Sequence, residues 1–82
     1  MKMPRNVSGQ QLIKALGRLG YETTRQTGSH VRLECHLPKR HHLTIPLHDP
    51  LRIGTLASIL SEVAKHHSLS RENVILKLFG ND

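Results

Sequence analysis

Gly28-Ser29-His30-Val31-Arg32 sets a histidine and an arginine two positions apart, directly after a glycine. Histidine is the side chain whose ordinary pKa suits proton transfer near neutral pH, and arginine is a permanent cation. Together they suit cleavage of RNA through its own 2′-hydroxyl. That reaction needs a base to take the hydroxyl proton, an acid for the leaving oxygen and cations for the charge of the phosphorane. His30 and Arg32 meet two of those needs. Arg25, Lys39, Arg40, His41 and His42 could hold the phosphate backbone, where contacts are independent of sequence and sensitive to salt. The plainer reading of His30 is an exposed strand histidine with no task.

The other histidines invite a metal reading, because His36, His41, His42 and His48 follow one another closely and imidazole is a common zinc ligand. The spacing argues against it. His41 and His42 are adjacent, so in a strand they point to opposite faces, and no second cysteine accompanies Cys35. Solvated basic loop residues are the better account, and no metal is expected. Cys35 alternates with apolar neighbours and reads as a small buried hydrophobe. His66 and His67 close a helical stretch, where positive charge complements the helix dipole. No serine-histidine-acid set, glycine-rich phosphate loop or paired-carboxylate pattern is present.

Elements that position these side chains follow from periodicity. Ser8 and Gln11 have the spacing of a capping box, so a helix starts at Gly9. Its apolar stripe is Leu12, Ile13, Leu16 and Leu19, with Gly17 inside it and Gly20 as its stop. Tyr21 to Gln26 favours a strand, although its polar residues do not say which face turns inward. Thr27-Gly28 is a tight turn into a strand from Ser29 to about Leu37, whose alternation turns Val31, Leu33, Cys35 and Leu37 inward. His30, Arg32, Glu34 and His36 then share the wet face. A basic loop leads to a third strand, His42 to Leu47, and Pro46 near its end suggests a sheet edge or a strand terminus.

Thr55 is placed to cap a second helix carrying Leu56, Ile59, Leu60 and Val63, and Ser70 a short third one carrying Val74, Ile75 and Leu78. Each long helix has one apolar stripe, so both must cover the same sheet face and leave the other open. The expected fold is α+β, a three-stranded antiparallel sheet with its helices on one face and a short extra C-terminal helix.

An 82-residue chain allows one small domain, spanning residues 1–82, with a single modest core. Twelve Lys and Arg against six Asp and Glu give a net charge of +6 and a pI near 10.3, an excess that favours a polyanionic partner such as nucleic acid. Tyr21 and Phe79 are the only aromatic residues among Phe, Tyr and Trp, too few for a module that stacks bases. One cysteine and the absence of any apolar run of membrane-spanning length suit a soluble, unprocessed cytoplasmic protein with no membrane partner.

Several short pieces then fall into a familiar order: Ser8-Gly9 followed by Leu12 to Leu16, Gly20-Tyr21, Arg25-Gln26, Gly28-Ser29-His30, Ile45-Pro46-Leu47-His48, Gly54-Thr55-Leu56 and Ile59-Leu60. Through them the chain resembles the HicA family of toxins, small mRNA interferases paired with a HicB antitoxin. The resemblance covers residues 8 to about 79. It implies a fold like that of a double-stranded-RNA-binding domain, α-β-β-β-α, in agreement with the order read from periodicity. It makes His30 the catalytic histidine of a metal-independent endoribonuclease that uses no cofactor. Arg25, Ser29, Arg32, Lys39, Arg40, His42 and His48 are the expected RNA-binding residues. mRNA and a HicB-like antitoxin are the expected partners. Thr27 departs from a position that is often basic in the family. The alternative on the same fold is a noncatalytic module that binds duplex RNA by shape.

Overall fold

The computed structural model describes residues 3–80. Its elements are α1 (Gly9–Leu16) with a 3₁₀ turn at Gly17–Leu19, β1 (Glu22–Thr27), β2 (His30–Cys35), β3 (His41–Pro46), α2 (Ile53–His67) and α3 (Arg71–Phe79). The strands form one antiparallel sheet in the order β1-β2-β3. This is the expected α+β arrangement of the double-stranded-RNA-binding-domain type. Pro46 lies on an edge strand, as a residue without a backbone donor must.

Alternation decides which face is dry. Along β2, Val31, Leu33 and Cys35 are buried, and along β3 Leu43 and Ile45 are. Onto that face pack Leu12 and Leu16 of α1, Leu56, Leu60 and Val63 of α2, and Val74 and Leu78 of α3. Each fully buried aliphatic side chain contributes about 1.5–3 kcal/mol of transfer free energy. The helices therefore cover one face, and the opposite face of the sheet is left polar.

Ser8 begins α1 with the expected capping box: its hydroxyl accepts from the Gln11 backbone N–H at 3.0 Å, and the Ser8 N–H donates to Gln11 Oε1 at 2.8 Å. Several boundaries differ from the sequence reading. The α-helix stops at Leu16, and Gly17 opens the 3₁₀ turn, which Gly20 ends at a left-handed φ of 89°. A Cβ at Gly17 would meet nothing, so no close packing demands that glycine. β2 ends at Cys35 because its last pair is Cys35 with His41, and Leu37, expected in the core, is 78% exposed. α2 starts at Ile53, two residues before Thr55, behind an Arg52 cap that makes no side-chain hydrogen bond. Ser70 caps α3 as expected, accepting from the Asn73 N–H at 3.0 Å.

Candidate functional site

β1 and β2 are joined by Gly28-Ser29, with Thr27 and His30 as the closing pair. Gly28 has a φ of +57°, in the left-handed region where a side chain is strained, which is why the motif begins with glycine. Gln26 braces the turn by donating from Nε2 to the Gly28 carbonyl at 3.1 Å. His30 follows as the first residue of β2, exposed on the polar face.

Residues paired across antiparallel strands share a face, so the register lays that face out in rows. Thr27, His30 and Pro46 form the first row, Arg25, Arg32 and Thr44 the second, and Glu22, Glu34 and His42 the third. A bulge at Thr24 reverses the alternation of β1, so Glu22 and Arg25 both face outward. Arg25 and Arg32 are direct partners. Like charges placed opposite each other disfavour the sheet, and no acidic side chain forms an ion pair with either of them among the described residues. Such a pair is suited to an anion lying over both, one row from His30.

Arg40 is differently placed. Its Nε donates to Glu34 Oε1 at 3.1 Å, and the guanidinium holds the Glu34 carboxyl below the usual carboxylate range. Lys39 and Arg40 lie in the loop after β2, and the strand rise of about 3.3 Å per residue puts the end of β2 roughly 17 Å from His30. His36 is at that far end too, and His42 is two rows away from His30. These residues could extend a backbone-binding track, but they do not stand beside His30.

What does stand at the His30 end is the rest of the motif set. The Leu47 N–H donates to the Ser29 carbonyl at 2.7 Å, and the Gly9 N–H at the start of α1 donates to the His48 carbonyl at 2.9 Å. A Cβ on Gly9 would run into the Pro46 carbonyl oxygen, so only glycine lets α1 start this close to β3. Ser8-Gly9, Gly28-Ser29-His30 and Ile45-Pro46-Leu47-His48 thus meet at one corner. His48 is exposed there, at the rim of a recess with Ser8, Gln10 and Asp49.

Sequence reading missed a second histidine group on the helix side of the sheet. His41, expected as a solvated loop residue, is half-buried, and with Tyr21, His66 and His67 it forms an aromatic cluster beside Cys35. Burial lowers His41 and His67 from the ordinary histidine range, and burial followed by the Cys35 thiol pushes the Tyr21 hydroxyl up. Its members come from three separated segments, and only the alternation that turned Cys35 inward signalled any of it.

A family model described as HicA toxin of bacterial toxin-antitoxin matches residues 9–73 of the 82-residue chain. No curated protein and no solved structure matches it.

Proposed function

The chain belongs to the HicA toxin family of bacterial toxin-antitoxin systems, and from that premise we propose that it is an mRNA interferase whose proton-transfer group is His30. The observation that carries this reading is the place of His30: exposed, at the tip of a hairpin, one row from the directly opposed Arg25–Arg32 pair. RNA laid across the polar face would bring a phosphate over the two guanidinium groups and the adjoining ribose toward the imidazole. The 2′-oxygen then attacks the phosphorus. The bond from the 2′-oxygen to phosphorus forms, the bond from phosphorus to the 5′-oxygen breaks, and the products are a 2′,3′-cyclic phosphate and a 5′-hydroxyl. His30 accepts the 2′-hydroxyl proton or donates one to the leaving oxygen, and the arginines offset the extra negative charge of the phosphorane. No metal is required at the scissile phosphate.

A second proton-transfer group belongs at the same corner. Of the three candidates, His36 and His42 lie too far along the sheet, whereas His48 follows Pro46, the partner of His30, by two residues. Ser29 flanks the site and can donate its hydroxyl to a phosphate. Lys39 and Arg40 extend the electrostatic track toward the far end of the face, with Arg40 shared with Glu34. A HicB-like antitoxin would restrain the toxin by covering His30 or by placing acidic groups over the arginines.

Expression without an antitoxin tests the assignment in cells. The wild-type chain should arrest growth and His30→Ala should not, at equal protein levels. Equal arrest by both would remove His30 from the mechanism. Arrest by neither, with RNA still bound in vitro, would leave a noncatalytic RNA-binding module.

A further inference from the structure

We propose that Cys35, His41 and His66 form a zinc-binding site that staples the far end of the β2–β3 hairpin to the C-terminal turn of α2. Cys35 and His41 are the last directly paired residues of β2 and β3 and point to the helix-covered face. His66 comes down onto them from α2, its ring stacked on that of His41 with centroids 4.2 Å apart. One coordinating atom from each, the Cys35 sulfur and a ring nitrogen of each histidine, lies within 4.8 Å of the other two. A tetrahedral zinc with bonds of about 2.0–2.3 Å needs ligand atoms somewhat closer than that, a gap that small side-chain rotations close.

Two further observations point to a ligand. His66 Nε2 is buried and has no hydrogen-bond partner among the described residues. A buried polar nitrogen left unpaired costs about 1–3 kcal/mol, and a metal bond is one way to satisfy it. His41 is held from behind: its Nδ1 is 2.8 Å from the Tyr21 hydroxyl, which is itself 3.3 Å from His67 Nε2. Ligating histidines characteristically have one ring nitrogen fixed by such an outer partner, leaving the other for the metal. Tyr21 is 3% exposed, so the brace is part of the core.

A thiolate with two imidazole donors favours zinc over the oxygen-seeking cations. Cys35 would bind as the thiolate, releasing its proton to solvent. The fourth position falls to a water. The metal would cross-link three elements in a chain too small for a large core, a common device in domains of this size. It sits on the opposite face of the sheet from His30 and at the opposite end of β2, so it takes no part in RNA cleavage and its test is independent of that reading. Nor is it the His36, His41, His42 and His48 set suggested by sequence proximity, since only His41 belongs to both.

The metal-free 82-residue chain, with its fold checked by circular dichroism, should take up one equivalent of Co²⁺. It should then show a near-ultraviolet thiolate-to-cobalt band and tetrahedral d–d absorption, and Zn²⁺ should displace both. Zn²⁺ should also raise the melting temperature, and EDTA should return it. Cys35→Ser should abolish the charge-transfer band, and His66→Gln, at a half-exposed position that tolerates a polar side chain, should weaken binding. That loss should exceed the roughly 10–100-fold that outer-shell losses cost, whereas Tyr21→Phe should fall inside that range. His42→Ala, on the other face, should bind as wild type does. A folded wild-type chain that gives no cobalt band and no zinc-dependent melting shift overturns the proposal. So does binding that survives both Cys35→Ser and His66→Gln.

Discussion

At the scale of single residues, the polar face of the sheet holds side chains that the fold does not need, and the proposed RNA site is built from them. His30 is exposed, and its side chain makes no hydrogen bond among the described residues. His30→Ala should therefore leave the melting temperature nearly unchanged, with a stability change within about 0.5 kcal/mol. RNA cleavage should fall by roughly 10²–10⁴-fold, the usual contribution of a positioned acid or base. Arg25 and Arg32 make a sharper case, because their pairing opposes the fold. Replacing either by threonine should raise stability by a few tenths of a kcal/mol, about the size of one unfavourable cross-strand pair, in a urea titration. The same change should weaken RNA binding uniformly across sequences and lower the salt slope by about one. His30 and Arg32 were legible together because β2 alternates cleanly. Arg25 could not be assigned a face, since β1 has no apolar residue to set a register and the bulge at Thr24 shifts it.

Among the elements, the corner where α1, β2 and β3 meet is the part that must be built most closely. Gly9→Ala would force a methyl group against the Pro46 carbonyl, and overpacking of that kind costs about 1–3 kcal/mol. It should displace the start of α1 from β3, so that thermal melting and RNA cleavage both decline. Ser8→Ala, which removes only the cap, should cost about 1 kcal/mol and leave cleavage by the folded protein intact. The cap of α1 was readable because Ser8 and Gln11 act within one turn of chain. The start of α2 was not, because Arg52 caps it without a side-chain bond and Thr55 falls inside its first turn. Leu37 shows the same limit: its apolar character continued the β2 alternation, but the strand ends where β3 begins, a tertiary fact. The requirement for glycine at position 9 was invisible for a similar reason, since the atom that enforces it lies on β3.

Seen as a whole molecule, a net charge of +6 sits on a fold with one dry face and one polar face. The basic excess, the open sheet and the family motifs are all legible in the sequence, because each depends on composition, alternation or local spacing. The Cys35–His41–His66 cluster did not show in the sequence, as it needs the strand register and the final turn of α2 together. On the two proposals the polar and the dry face would carry separate chemistry, so chelation should lower stability without removing cleavage by protein that remains folded.

The most direct test of the central claim uses a long mRNA, the purified wild-type chain and His30→Ala, in excess EDTA at a temperature where circular dichroism shows both proteins folded. The wild type should cut the message to fragments ending in 2′,3′-cyclic phosphate and 5′-hydroxyl groups, and His30→Ala should leave it intact. Equal cutting by the two proteins, or loss of wild-type cutting to EDTA while the protein stays folded, would contradict an RNA cleavage centred on His30.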